Sequence, residues 1–192
     1  MLSQSDVLDL FRQSGAMLEG HFRLSSGLHS DRYLQSALVL QHPDYAEQLG
    51  RLLAARLEHL QPTAILSPAL GGIVIGQEVG RAMKIRALFA ERQDGVLTLR
   101  RGFTLAPSDR VVVVEDVITT GGSTRETVEV ATAAGAQVMG AAAIIDRGGD
   151  PGRLEIPLQA LVRMAVAAYP PESCPLCAGG IPVTKPGSRS ST

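Results

Sequence analysis

Two adjacent acids that follow an apolar run are the residues of this chain best placed to do chemistry. Glu115 and Asp116 come directly after four consecutive valines at positions 111–114. A short β-branched run of this kind predicts a strand buried on both faces. Carboxylates at the end of such a strand lose water unless hydroxyls, a metal ion or backbone N–H groups meet them. The pair therefore predicts a site for a polyhydroxylated or cationic ligand.

The loop that follows the acids is suited to a phosphate group. It reads Val117, Ile118, Thr119, Thr120, Gly121, Gly122 and Ser123. The glycines can adopt positive φ, and Ser123 could cap a helix that begins at Thr124. Backbone N–H groups at a helix N-terminus favour a phosphate monoester. A phosphate loop beside a diol-binding acid pair predicts a ribose phosphate site. In a purely structural alternative Asp116 would only cap the next helix, which leaves Glu115 unexplained.

The elements around this motif follow an α/β pattern. Apolar spacing and stop signals predict helices over residues 3–13, 44–60, 72–83 and 123–134. Extended apolar segments predict strands over 64–67, 86–90, 110–115 and 137–145, and a hairpin or irregular loop over 20–35. Ligands of a parallel α/β sheet bind where the strands end, so each strand-to-helix turn is a candidate part of the site.

A second glycine-rich turn follows the strand predicted at 64–67. It contains Leu70, Gly71 and Gly72. Glycines there allow main-chain amides to approach a diphosphate at a helix start. Taken alone, the same residues fit a tight turn with close helix packing equally well. Beside the motif at 111–123, the diphosphate interpretation is favoured.

The motif at 111–123 resembles the binding motif for 5-phosphoribosyl 1-diphosphate (PRPP) of the type I phosphoribosyltransferases. It contains neither the Gly-Lys-Ser/Thr of a Walker A loop nor a dinucleotide-binding G-x-G-x-x-G. The resemblance implies a parallel sheet flanked by helices, with a small N-terminal hood. It also implies that Glu115 and Asp116 orient the ribose, that the loop 117–123 binds the 5-phosphate, and that the turn 70–72 binds the diphosphate. The Mg²⁺ cofactor would be held mainly through the substrate, near the two acids.

Further residues resemble the orotate-specific branch of that family. Asp146 and Arg147 end the strand predicted at 137–145, and a guanidinium there can pair with a planar carboxylate. The resemblance implies that Arg147 and Thr119 hold orotate and that Tyr33 covers it. His29 stands where the family usually has Lys, so it is expected to have a minor role at the base. The structural alternative for Arg147 is a surface ion pair with Asp146 or Asp150.

The stretch between 91 and 110 departs from the family pattern. Arg92 matches an Arg of the loop that closes over the diphosphate from the neighbouring subunit, but the usual Lys and His of that loop are absent. Asp94 and Gly95 predict a hairpin that would present Arg100 and Arg101. These three arginines are the candidates for stabilising charge on the leaving diphosphate. A solvated basic hairpin is the alternative.

The resemblance implies an enzyme that transfers phosphoribose from PRPP to orotate in pyrimidine nucleotide (UMP) synthesis, and a homodimer with shared active sites. A purine phosphoribosyltransferase is the alternative enzyme. A PRPP-sensing regulator is the alternative outside catalysis, but the first forty residues show no convincing DNA-binding element.

Composition and charge restrict the partners. The 192 residues carry 18 basic and 19 acidic side chains, a net charge of −1, so no overall field recruits nucleic acid or a membrane. No leader or spanning segment is evident, which predicts a cytoplasmic protein. The expected organisation is a helix and hood over 1–40, an α/β core over 41–170, and a tail over 171–192 with a disordered end.

The tail carries both cysteines of the chain. Cys174 and Cys177 have the spacing of a zinc knuckle, but a closed zinc site needs four ligands and the sequence nearby supplies only these two thiols. An isolated pair is the expectation, with a site shared by two subunits as the alternative.

Overall fold

The computed structural model of the chain describes residues 3–24, 26–148 and 154–185. Its helices are α1 (Gln4–Gln13), α2 (Ser36–Leu40), α3 (Pro43–Leu57), α4 (Gly71–Met83), α5 (Gly122–Ala133) and α6 (Pro175–Ala178). Its strands are β1 (Met17–Arg23), β2 (His29–Leu34), β3 (Ala64–Pro68), β4 (Arg86–Gln93), β5 (Val96–Leu99), β6 (Arg110–Ile118), β7 (Gln137–Asp146) and β8 (Leu158–Arg163). Short 3-10 turns lie at Glu58–Leu60 and Pro171–Ser173.

A six-stranded sheet forms the centre of the fold, in the order β5-β4-β3-β6-β7-β8. All neighbours pair in parallel except β4 and β5, which form an antiparallel hairpin. Asp94 and Gly95 make its turn with positive φ at both residues, as the sequence predicted. The α/β architecture with a parallel sheet flanked by helices is therefore confirmed.

The valine run of β6 is buried on both faces of the sheet. Val112 and Val114 pack in the cluster with α3 and α4, whereas Val111 and Val113 belong to clusters on the side of α5. This alternation follows from the two-residue repeat of a strand. It continues into the acids, so Glu115 faces the side of α5 and Asp116 faces the side of α2 and α4.

Two predicted boundaries next to the acids are wrong. β6 does not end at Glu115 but continues to Ile118, because parallel pairing with β7 persists through Val117 with Ile145 and Ile118 with Asp146. The acids thus lie within the strand. The next helix begins at Gly122 rather than after a Ser123 cap, and the position before it is taken by Gly121 at φ 77°.

The N-terminal segment forms the predicted hairpin, with β1 and β2 paired antiparallel. The tail returns to this hairpin, which the sequence did not predict. The Arg23 amide donates to the Thr184 carbonyl, and the Thr184 amide donates to the His21 carbonyl. His29 and Tyr169 exchange two backbone hydrogen bonds. Elements α2, β8 and α6 were also unpredicted.

Asp150, the alternative partner of Arg147, and the end of the tail at 186–192 lie outside the described parts of the chain. Among the described residues, no helix has the length and apolar character needed to cross a bilayer.

Candidate active site

Glu115 is fixed by the start of α5. Its carboxylate accepts hydrogen bonds from the hydroxyls of Ser123, 2.9 Å from Oε1, and Thr124, 3.0 Å from Oε2. Only 9% of the residue is exposed. Burial and the neighbouring Asp116 raise the pKa of Glu115 to about 7, although the two hydroxyls act in the opposite direction. A cation or a donor that approaches this carboxyl therefore favours its charged form.

Asp116 lies on the opposite side of the strand. Its Oδ2 accepts a hydrogen bond from the Ser36 hydroxyl, and its Oδ1 lies 2.9 Å from the Val117 amide. A Cβ added at Gly71 would lie 2.8 Å from both carboxylate oxygens. The absence of a side chain at Gly71 therefore keeps a helix start close to the acid.

The polar loop connects β6 to α5. Thr119 and Thr120 are exposed, and Gly121 has a positive φ of 77°. A Cβ at Gly121 would also lie 2.5 Å from the Leu154 side chain. The first N–H groups of α5 have no intrahelical acceptors, so they can face an anion. Ser123, predicted as the helix cap, instead directs its hydroxyl to Glu115.

The second glycine-rich turn begins α4 on the Asp116 side. Leu70 is highly exposed, and the peptide bond between Ala69 and Leu70 is cis. A Cβ at Gly72 would lie 2.9 Å from the Val114 carbonyl oxygen. A cleft of about 500 Å³ opens beside this turn, and its lining includes Ser36, Leu40, Leu70, Gly71, Val74 and Asp116. The cleft joins the predicted diphosphate turn to the second acid.

Arg147 stands next to the phosphate loop. Its amide donates to the Ile118 carbonyl at 2.8 Å, directly before Thr119. Burial lowers the pKa of the guanidinium, whereas its electrostatic interaction with Tyr33 of the hood acts in the opposite direction. The Nε–H of Arg147 is buried and has no hydrogen-bond partner among the described residues. An unsatisfied buried donor of this kind is suited to an anionic ligand.

The expected contact between His29 and a base does not fit the geometry. His29 is 6% exposed, and its Nδ1 lies 2.8 Å from His21 Nε2 and 3.3 Å from Cys177 Sγ. The ring nitrogen is therefore directed to the tail rather than to a substrate. Tyr33 is half-buried on the same hairpin, with its ring 6.0 Å from that of Phe22.

The hairpin arginines form ion pairs with nearby acids. Arg92 pairs with Glu126 of α5 at 2.8 Å, one turn beyond the phosphate loop. Arg100 and Arg101 both approach Glu91, at 3.6 and 3.0 Å. Of the three, Arg92 is thus tied to the helix that begins at the loop.

Sequence reasoning missed Ser36 and Thr124. Ser36 is 80 residues from Asp116 in the chain, so no local pattern reveals their hydrogen bond. Thr124 did have a signal: it is a hydroxyl residue that follows Ser123 at the start of a helix facing a buried acid.

The fold and the arrangement of acids and loops match one class of protein. The phosphoribosyl transferase domain family matches residues 36–158. The fold is similar to that of Mycobacterium tuberculosis H37Rv orotate phosphoribosyltransferase, with a TM-score of 0.71 and 22% identity over 84% of this chain and 96% of that one. For the orotate phosphoribosyltransferase of Aeropyrum pernix the TM-score is 0.70 and the identity is 24%, over 82% of this chain and 93% of that one. This is the type I phosphoribosyltransferase fold.

Sequence relatives define the branch. An orotate phosphoribosyltransferase of Heliobacterium modesticaldum is 53% identical over 191 residues, which cover 98% of this chain and all of that protein. An orotate phosphoribosyltransferase of Pelotomaculum thermopropionicum is 52% identical over 188 residues, which cover 98% of this chain and 99% of that protein. The chain belongs to the orotate phosphoribosyltransferase family.

Proposed function

We propose that this protein transfers the 5-phosphoribosyl group from PRPP to orotate, which gives orotidine 5′-phosphate and diphosphate in pyrimidine nucleotide (UMP) synthesis. The observation that carries the choice of base is the buried Nε–H of Arg147 beside the phosphate loop, which has no hydrogen-bond partner in the part of the chain that the structure describes. Orotate has a carboxylate that such a guanidinium can bind, whereas purine bases have none. The names of the close relatives support the same substrate.

PRPP occupies the two loops and the acids in this proposal. The loop 117–123 and the first amides of α5 bind the 5-phosphate, since the helix N-terminus favours an anion. Glu115 and Asp116 bind the ribose hydroxyls from the two sides of β6. Leu70, Gly71 and Gly72 line the diphosphate position, where the glycines leave main-chain amides accessible.

Mg²⁺ is the proposed cofactor, as is general in the family. The two acids, on opposite sides of β6, supply the carboxylate oxygens that a hard cation prefers, and the raised pKa of Glu115 reflects burial first and repulsion from Asp116 second. A cation near them would relieve that repulsion. When bound with PRPP, the ion would neutralise charge on the diphosphate.

The chain's own residues stabilise both charges that develop during transfer. As the bond from C1 to the diphosphate oxygen breaks, positive charge grows on the ribose near Glu115 and Asp116. Negative charge grows on the diphosphate, near the amides of the 70–72 turn, and the guanidinium groups of Arg100, Arg101 and the partner subunit's Arg92 stabilise it. The electron pair of orotate N1 forms the new bond to C1, the C1–O electron pair leaves with diphosphate, and a departing diphosphate oxygen accepts the proton lost from N1.

The base lies between Arg147, Thr119 and Tyr33 in this arrangement. Arg147 pairs with its carboxylate, the Thr119 hydroxyl contacts the ring, and Tyr33 covers one face from the hairpin. We further propose that the protein acts in the cytoplasm, since its phosphorylated substrate is a polyanion that does not cross a bilayer unaided. The expected homodimer, with Arg92 serving the partner's site, completes the proposal.

A pair of arginine variants tests the base assignment. We expect Arg147→Ala to raise KM for orotate by about one to two orders of magnitude, as expected for loss of a charged hydrogen bond, while KM for PRPP changes little. Arg163→Ala is the matched control, because Arg163 ends the next strand, β8, and is exposed. Equal KM values for orotate in wild type and Arg147→Ala would refute the assignment.

A further inference from the structure

Four metal-ligating side chains lie together, and the proposed active site uses none of them. His21 comes from β1 and His29 from β2, while Cys174 directly precedes α6 and Cys177 lies within it. One ligand atom from each residue lies within 4.8 Å of all the others. The cysteines were expected to be an isolated pair, and the two histidines supply the ligands that this expectation lacked. All four belong to one chain, so no second subunit is needed.

The distances between these atoms fit tetrahedral zinc. His21 Nε2 lies 3.5 Å from Cys174 Sγ and 3.8 Å from Cys177 Sγ, and His29 Nδ1 lies 3.3 Å from Cys177 Sγ. Zinc bonds of about 2.3 Å to sulfur and about 2.05 Å to nitrogen place tetrahedral nitrogen and sulfur ligands about 3.6 Å apart. The two ring nitrogens, at 2.8 Å, need to separate by only about 0.5 Å to fit the same geometry.

The tautomer of His21 is set for a metal ligand. Its Nδ1 lies 2.7 Å from the Ile181 carbonyl oxygen, an acceptor only, so Nδ1 carries the proton and donates. Nε2 is then unprotonated, and its lone pair is directed into the cluster. Histidine ligands in metal sites commonly donate their other N–H to a backbone carbonyl in this way.

Burial separates this cluster from ordinary surface histidines. His21 and Cys174 are each 3% exposed and His29 is 6% exposed, whereas Cys177 is open to solvent. A buried donor set with one exposed member provides both low polarity and an entry path for an ion. Because protein groups supply all four positions, the site has the closed form of structural zinc rather than the open form of catalytic zinc.

We propose that His21, His29, Cys174 and Cys177 bind one Zn²⁺ ion that fixes the C-terminal tail to the N-terminal hairpin. Two thiolates with two imidazoles favour zinc over magnesium or calcium, which prefer oxygen ligands. The ion joins residues more than 140 positions apart and supplements the backbone bonds of Arg23 and His29 to the tail. Since β2 also carries Tyr33, the ion stabilises the hood.

Metal analysis of untagged protein purified without chelator tests the proposal. We expect about one zinc per chain after gel filtration, and loss of most of it in Cys174→Ser and His21→Gln. His59→Gln, an exposed histidine outside the cluster, is the control and retains the metal. Wild type without zinc, or equal zinc in every variant, would overturn the proposal.

A second measurement uses only the wild-type chain and so remains decisive if the variants fail to fold. Co²⁺ added to chelator-treated protein is expected to give the visible absorption of tetrahedral cobalt with thiolate charge transfer. Zinc added beforehand suppresses that spectrum and slows reaction of both thiols with a disulfide reagent by about tenfold or more. The spectrum of hydrated octahedral cobalt, with thiols equally reactive in the presence of zinc, would also overturn the proposal.

Discussion

At the scale of single residues, Glu115 shows how the site couples stability to function. Its carboxyl is buried beside a second acid and is held by Ser123 and Thr124. Burial and the neighbouring acid raise the pKa of Glu115 to about 7, whereas the two hydroxyls that position it act in the opposite direction. Such a group is poorly accommodated as an anion until a ligand or cation arrives, as is common at functional sites.

The raised pKa predicts a pH-dependent stability for the protein without Mg²⁺ or substrate. Between the ordinary value of 4.5 and about 7, the folded state holds a proton on Glu115 that the unfolded state releases. The stabilisation is therefore complete at low pH and is lost as the pH rises through 7. The full change is on the order of 3 kcal/mol, since one pKa unit corresponds to about 1.4 kcal/mol.

Denaturant unfolding at pH 5 and pH 8 measures this effect. We expect Glu115→Gln to weaken the loss of stability between the two values, because the amide does not ionise. Glu129→Gln, an exposed change on α5, is the control and keeps the wild-type dependence. The same loss in Glu115→Gln and wild type would contradict the link to this carboxyl.

The sequence predicted which residues form the site around the acids, but it predicted only some of the contacts that these residues make. The acids, the Thr-Gly loop and Arg147 each adjoin a recognisable strand. The role of Ser36 and the burial of His29 depend on contacts between distant parts of the chain. A lone histidine carries no sequence signal that tells a substrate contact from a metal ligand.

At the scale of elements, most helices and strands of the core were predicted from periodicity, with β8 and α2 as exceptions, while the ends of the predicted elements were decided by pairing. β6 extends beyond its valine run to Ile118, because it continues to pair with β7 as far as Asp146. The five-residue helix α2 is too short to give a periodic signal. The Asp94-Gly95 turn was predictable since its conformation depends on those two residues themselves.

The contact between α3 and α4 gives a test of element packing. A Cβ added at Gly50 would lie 2.5 Å from Glu78 Cβ and 2.9 Å from its backbone carbon. We expect Gly50→Ala to lower the free energy of unfolding by about 1–3 kcal/mol, since the helices must move apart. Thermal unfolding measures the change as a reduced Tm.

The neighbouring variant Arg51→Ala controls for helix composition. It removes an exposed ion pair with Glu47, 2.6 Å long, which is worth about 0.5 kcal/mol or less. If Gly50→Ala is as stable as Arg51→Ala, the close approach of the two helices does not limit stability.

At the scale of the whole molecule, the tail and the hairpin form one unit from opposite ends of the chain. Thr184 and Tyr169 bond to β1 and β2, and the Cys-His cluster lies at the same junction. Sequence reasoning assigned these segments separately, because nothing local to either one records their pairing. The hydrogen bonds between them mean that the tail helps to hold the hairpin that carries Tyr33.

The proposed shared active sites predict complementation between two damaged subunits. Arg92→Ala and Asp116→Asn should each lose most activity as homodimers, with a mass about twice the chain's 20.3 kDa. Random mixing by co-expression then restores one intact site in half of the dimers, or about a quarter of wild-type activity. Sedimentation and steady-state rates measure both quantities.

Two outcomes would contradict this arrangement. Activity of the mixture no greater than the mean of the two variants would mean that Arg92 and Asp116 serve the same subunit's site. Full activity of Arg92→Ala alone would remove Arg92 from the reaction.

The base supplied with PRPP tests the central claim most directly. Diphosphate release would be followed with purified protein, Mg²⁺ and PRPP, and with orotate, uracil, adenine, hypoxanthine or guanine given separately. We predict release with orotate and little with the others, because only orotate offers a carboxylate to Arg147. Release of diphosphate only with a purine, or no release with any of the five bases, would contradict the account.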